Sequence, residues 1–303
     1  MANLSRTRAF GSQTVGHPTT ERQHMVTHDV HGLGEFSPRW LADQLDDRGL
    51  VRLQDVFSAE WLDAMRTMVV DYIAANGDRD FYLDRADQEV GSPAHRLTSD
   101  PAVRRLFAET ANLRRPHVDS ADAPMRCSML VRTGTVRKAP SHLFHYDPCV
   151  LTMIVPIFIP QGPLGTCGEL AAFGNTRPFR RFHATHLADV LLTHNRWYRR
   201  HTTKRVHDAP EKYVVPLQPG DAYLFWGYRT YHGNLGCAPG VLRTTLVLKF
   251  GAVHPADGWL SKVAWRFSRS RRDMQRFQGR SALPRRAADD VASPSREVPV
   301  ARR

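Results

Sequence analysis

The chain has 303 residues, and 42 Lys and Arg against 30 Asp and Glu give a formal net charge of +12. Its hydrophobic content of 42% supports a substantial core, which excludes a wholly disordered polycation. Met1 to Phe10 is polar and basic with no apolar h-region, and the longest apolar run, broken by Thr152 and Pro156, is too short for a bilayer. A secretory leader and a membrane anchor are therefore not expected.

In chain order, residues 1–35 are rich in Thr, His, Gly and Arg without periodicity and read as a disordered arm. The irregular spacing of its His17, His24, His28 and His31, with no Cys nearby, reads as solvated histidines. Ser58 is placed to cap a helix running to about Ala75. Leu62, Met65, Val69 and Ile73 form its apolar stripe, and Gly77 stops it. Asp100 to Ala111 predicts a second helix with Val103, Leu106 and Phe107 inward. Cys149 to Ile159 is a β-rich apolar run. Val214 to Leu217, Ala222 to Trp226, Tyr228 to Asn234 and Val241 to Phe250 read as further strands. Pro219-Gly220-Asp221 separates the first two, and the Gly- and Pro-rich stretch Leu235 to Gly240 reads as a hairpin turn between the last two. Four cysteines (127, 149, 167 and 237) contain no Cys-x-x-Cys pair, which suits a reduced, cytoplasmic setting in which they act as small hydrophobes. The expected organisation is one domain over residues 36–265, carrying a basic insert at about 176–205, followed by an Arg-rich disordered tail at 266–303.

The chemistry-bearing residues lie among these strands. About one His-x-Asp triplet is expected by chance in a chain of this composition, and two occur. His117-Val118-Asp119 follows Arg114-Arg115-Pro116 and reads as a loop. His145-Tyr146-Asp147 leads into the apolar strand at Cys149. In an extended segment His145 and Asp147 share a side and Tyr146 faces away. Pro148 further biases Asp147 toward extended backbone. His232 lies on a later strand with Gly233 beside it. Two His and one carboxylate can hold a metal on one face and leave the opposite positions open, the donor set of mononuclear non-haem iron. Arg243 and Thr245 share a strand face, and hairpin pairing is expected to bring that face beside His232. Guanidinium binds carboxylate bidentately, so an inward Arg243 suits a carboxylate clamp, although an ordinary ion pair would also account for it.

These residues resemble the iron(II)- and 2-oxoglutarate-dependent dioxygenases, in particular the phytanoyl-CoA dioxygenase-like family. That family carries His-x-Asp…His with an Arg about ten residues beyond the second His, the separation seen here between His232 and Arg243. Asp47 to Phe57 looks like its first strand, and Gly168 to Phe173 like its Gly-x-Leu strand. The family's Gly-Ser after the distal His is Gly233-Asn234 here, and its Pro-Gly-Ser-His is replaced by Gly174-Asn175-Thr176-Arg177-Pro178. The resemblance implies a mainly β fold with flanking helices, a double-stranded β-helix or jelly-roll barrel. It implies iron(II) on His145, Asp147 and His232, with 2-oxoglutarate as co-substrate held by Arg243, Thr245 and Asn234, and dioxygen as oxidant. Related halogenases carry a small residue in place of the carboxylate, so Asp147 implies hydroxylation; desaturation, epoxidation and cyclisation use the same ligands.

The positive charge is concentrated in residues 176–205 and 266–303, each with a net +7. The tail reads as solvated, with only non-specific attraction to nucleic acid, because no base-stacking or RNA-binding motif accompanies it. In the insert, Leu187, Val190, Leu191 and His194 have helical spacing. The flanking Arg177, Arg180, Arg181, Arg196, Arg199 and Arg200 are either an exposed cationic face or a wall that recognises an anionic or carrier-bound small molecule. Three classes stay open: a small-molecule hydroxylase of specialised metabolism, a cupin-like iron enzyme without 2-oxoglutarate, and a nucleic-acid-associated oxygenase or inactive barrel. No motif sets an oligomeric state.

Overall fold

A computed structural model of the chain describes residues 32–78, 80–116, 125–133, 144–179 and 195–253. Among these residues nine strands form two antiparallel sheets. They are β1 (Val51–Leu53), β2 (Phe81–Asp84), β3 (Arg126–Arg132), β4 (Cys149–Phe158), β5 (Leu170–Phe173), β6 (Val214–Val215), β7 (Ala222–Trp226), β8 (Tyr231–Asn234) and β9 (Arg243–Ala252). The larger sheet has the order β1-β7-β4-β9-β3-β2 and the smaller β6-β5-β8. His145 adds a one-residue bridge on the free side of β8 by pairing with His232. From β4 onward the chain passes to the small sheet for β5 and β6, returns for β7, crosses for β8 and returns for β9. The nested neighbours β7-β4-β9-β3 and β6-β5-β8-His145 are those of a double-stranded β-helix, the jelly-roll barrel expected from the resemblance.

Helices cover the outside. They are α1 (Pro38–Arg48), α2 (Ala59–Asn76), α3 (Pro93–Ser99), α4 (Pro101–Arg114), α5 (Arg196–Asp208) and α6 (Pro210–Tyr213). Ser58 caps α2 by accepting from the Trp61 N–H, and Asp100 caps α4 by accepting from Ala102 and Val103. Both satisfy N–H groups that the first turn leaves without partners. Alternation along the strands sorts the core. Leu151, Met153, Val155, Leu246 and Leu248 meet Leu41, Met65, Val103 and Phe107 of the helices on the outer face of the large sheet. Ile154, Leu170, Tyr223 and Phe225 fill the barrel interior, with Val247 packed against them. Strand β4 is thus buried on both faces, which explains its unbroken apolar run.

The helices read from the sequence at 58–75 and 100–111 are α2 and α4, while α1 and α3 were not anticipated. Leu33, inside the segment expected to be a disordered arm, is fully buried in the core. One expectation is overturned. β8 and β9 do not form a hairpin; they lie in different sheets, and residues 235–242 cross between them. Barrel closure demands this, because β9 fills the gap between β4 and β3. Arg243 therefore approaches the His232 side from the opposite wall. His117-Val118-Asp119, residues 187–194, Arg180, Arg181 and the 266–303 tail lie outside the described residues.

Candidate metal centre

His145 and His232 are locked together through their backbones. The His145 N–H donates to the His232 carbonyl at 2.8 Å and the His232 N–H returns to the His145 carbonyl at 3.0 Å. Their rings sit 4.5 Å apart between centroids. Asp147 follows after Tyr146 has turned away, and its N–H donates to the Gly227 carbonyl at 3.0 Å. Its Oδ1 is 3.4 Å from His145 Nε2 and its Oδ2 is 3.6 Å from His232 Nε2. One ligand atom from each of the three residues lies within 4.8 Å of the others, so the trio can hold a metal ion.

Asp147 and His232 are in the right chemical state for ligation. Burial lowers the His232 imidazole to about 4, reinforced by His145 and Lys249 and opposed by Asp147. The ring is neutral near pH 7, and its Nδ1 lies 3.1 Å from the Thr230 carbonyl. An Nδ1–H donated there leaves the Nε2 lone pair directed at the centre, as ligating histidines require. Burial alone would raise the Asp147 carboxyl, but Lys249, His232 and His145 hold it well below the usual range. Thr152 donates to Asp147 Oδ2 at 2.8 Å and Lys249 to Oδ1 at 2.7 Å. Cys149 is outside the converging set of ligand atoms, and burial pushes its thiol up to about 12, with the Asp147 charge adding to the effect. Gly227 is required here, because a Cβ at that position would come within 3.0 Å of Asp147 Cβ.

Arg177 braces the ligand loop. Its guanidinium lies between the rings of Tyr146 at 3.7 Å and Tyr228 at 3.9 Å, and Nε donates to the Tyr228 carbonyl at 2.6 Å. Both of its π-faces are thereby occupied. Helix α5, the described end of the basic insert, packs through Val206 onto the outer face of the small sheet beside Phe173 and Tyr231.

Farther along the barrel, Arg243 is 2% exposed and Thr245 is likewise buried. Arg243 Nη1 lies 3.5 Å from Thr245 Oγ1, and burial together with neighbouring Arg132 lowers the guanidinium to about 9. Asn234 stands two residues beyond His232 on the same strand face, with a buried Oδ1 that has no hydrogen-bond partner among the described residues. Gly168, at φ +70°, lets the chain lie against Arg243: a Cβ there would come within 2.7 Å of Arg243 Cδ.

Sequence reasoning missed Thr152, Lys249 and Arg132. Each was detectable in principle. Lys249 continues the even-spaced face of Arg243 and Thr245, and Thr152 is its cross-strand partner. Arg132 closes an apolar strand directly opposite Arg243.

No protein-family model matches the chain, and no curated protein matches it. Among solved structures it is similar to the non-haem alpha-ketoglutarate-dependent carbocyclase SnoK from nogalamycin biosynthesis, at 16% identity and TM-score 0.46 over 77% of this chain and 93% of that one. It is also similar to a Pseudomonas putida prolyl-4-hydroxylase, at 13% identity and TM-score 0.43 over 71% and 98%. AviO1 from Streptomyces viridochromogenes Tue57 matches at 15% identity and TM-score 0.44 over 69% and 90%. No helix of the described residues is long and apolar enough to cross a membrane.

Proposed function

We propose that the protein is an iron(II)- and 2-oxoglutarate-dependent oxygenase that hydroxylates a small organic molecule. The observation that carries the reading is the convergence of His145, Asp147 and His232 at one end of a double-stranded β-helix whose interior also buries Arg243. Two imidazoles and one carboxylate favour iron(II) and leave positions for a chelating co-substrate and dioxygen. Iron held there supplies the oxygen activation that couples decarboxylation of 2-oxoglutarate to oxidation of a C–H bond.

The chain's own residues divide the remaining work. His145 and His232 are fixed by their paired backbones, so the ligand set is pre-organised. Thr152 orients the Asp147 carboxylate. Arg243, with Thr245 and Asn234, takes the far carboxylate of 2-oxoglutarate, for which a bidentate guanidinium is the fitting partner. Arg177 holds Tyr146 and through it the His145–Asp147 segment. A cupin-like enzyme without 2-oxoglutarate would leave a buried Arg243 with no anion to bind. The basic residues from 176 to 205 favour an anionic or carrier-bound substrate, and the described residues, with no recognition domain beside the barrel, suit a role in specialised metabolism. Neutralising Arg180 and Arg181 together should then raise the substrate KM and spare substrate-free 2-oxoglutarate turnover.

The reading is tested by succinate release from 2-oxoglutarate with iron(II) and air. Release that requires iron and disappears in His232→Ala supports it. A folded, iron-loaded protein that consumes no 2-oxoglutarate, alone or across a metabolite panel, overturns it.

A further inference from the structure

Arg132 and Arg243 face each other directly across the β3–β9 ladder. Cross-strand partners share a sheet face, and alternation puts Val131, Met129 and Cys127 on the helix side, so both arginines point into the barrel. Like charges in directly opposed positions repel. Here the two guanidinium side chains are also buried, Arg132 being 5% exposed. Burying one such charge without a counter-ion is already costly.

No acid among the described residues neutralises the pair by contact. Among the described residues neither arginine makes an ion pair, and Arg132 Nε and Nη1 are buried without a hydrogen-bond partner. The acids nearest in effect are Asp80 for Arg132 and Glu169 for Arg243. Asp80 Oδ1 accepts instead from the Thr133 N–H at 2.6 Å and the Thr133 hydroxyl at 3.3 Å, and Glu169 Oε1 accepts from the Gly165 N–H at 3.0 Å. Two adjacent guanidiniums, Arg243 held only through Nη1 to Thr245 Oγ1 among the described contacts, are thus aimed into the barrel interior.

We propose that Arg132 and Arg243 form one double-guanidinium seat for a terminal carboxylate, so that Arg132 is a second residue selecting a dicarboxylic 2-oxo acid over a monocarboxylic one. This rests on the 2-oxoglutarate reading above and adds a residue to it. A carboxylate has two oxygens and about four lone-pair sites, enough to bridge both forks. Its charge also relieves the repulsion between them. A ligand ending in a methyl group does neither, and leaves both guanidiniums desolvated without a counter-ion.

The test is equilibrium binding to iron(II)-loaded protein without oxygen, with 2-oxoglutarate and 2-oxobutanoate as probes. Wild type should prefer 2-oxoglutarate. Arg132→Met should weaken 2-oxoglutarate binding by about 10-fold or more, while 2-oxobutanoate changes by less than about 2-fold. Arg132→Lys, which keeps the charge and loses the fork, should fall between them and serves if the Met variant folds poorly. A second readout needs no iron. Protection against thermal unfolding by added 2-oxoglutarate should shrink in both variants. If Arg132→Met and Arg132→Lys bind 2-oxoglutarate like wild type while Arg243→Met does not, the seat is single and this inference fails with the oxygenase reading intact. If wild type itself shows no 2-oxoglutarate binding, the oxygenase reading fails first.

Discussion

Lys249 Nζ lies 2.7 Å from Asp147 Oδ1, an ammonium against the one carboxylate of the candidate metal centre. Asp147 is 1% exposed and Lys249 about a quarter exposed, so the carboxylate depends on this partner for charge balance. A divalent cation at the same carboxylate would supply the same balance from the other side. Lys249→Met should therefore destabilise metal-free protein by roughly 2–4 kcal/mol. Iron(II) or manganese(II) should restore more stability to the variant than to wild type. Urea unfolding with and without metal measures both. Equal metal increments in the two proteins would contradict this account of Lys249.

The Arg177 sandwich makes a different prediction. Two ring stacks and a backbone hydrogen bond hold Tyr146 and Tyr228 together beside the ligands. Arg177→Met keeps much of the volume but loses the planar charge. Metal affinity should drop by about 10–100-fold, the usual cost of losing a group that orients ligands from behind. Titration with manganese(II) by calorimetry checks this, and Arg177→Lys should not rescue it because an ammonium cannot stack between two rings.

Gly168 tests the packing against Arg243. An alanine there combines a left-handed backbone angle with a Cβ 2.7 Å from Arg243 Cδ. Gly168→Ala should cost about 1–2 kcal/mol of stability and weaken 2-oxoglutarate binding while leaving metal affinity within about 2-fold. Loss of metal affinity of the same size would show that the two ends of the site are not separate.

Asp46 predicts the acid limit of the scaffold. It joins α1 to Arg114 of α4, to Arg229 and to the Trp226 indole. Burial alone would raise its carboxyl, but Arg114, Arg229 and Trp226 together hold it below its ordinary 3.8. A depressed carboxylate stabilises the fold above the unfolded value, and the contribution is lost as pH falls through the lower folded value. Wild type should therefore lose stability more steeply than Asp46→Asn as pH falls below about 4. The variant should already be about 1–2 kcal/mol weaker at pH 7. Denaturation series from pH 7 to pH 2 decide between parallel and converging curves.

Much of the scaffold was legible because its signals were local. Ser58 and Asp100 cap the helices that follow them, and the run from Cys149 is apolar on both faces because β4 is covered on both. The His145–Asp147 pair could be singled out by its adjoining strand and by Pro148. What local pattern does not carry is which strand lies beside which. The Gly- and Pro-rich segment before Arg243 looks like a hairpin turn, yet it crosses between sheets because β9 is needed between β4 and β3. The same long-range pairing hides Arg132, which gains meaning only as the partner of Arg243. It hides Lys249 too, since Asp147 lies about a hundred positions earlier. Helix α1 carries local signals too, a Ser37 cap on the Trp40 N–H, Pro38 at its start and a left-handed Gly49 at its end; only its Asp46 contact to Trp226 belongs to the barrel packing.

The central claim is that iron(II) and 2-oxoglutarate meet at His145, Asp147 and His232. The most direct test is the visible spectrum of the protein with both, in the absence of oxygen. A metal-to-ligand charge-transfer band is expected, lost in Asp147→Ala and weakened in Arg243→Ala at sub-saturating 2-oxoglutarate. A folded wild-type protein that binds iron(II) and shows no band on adding 2-oxoglutarate would contradict the claim.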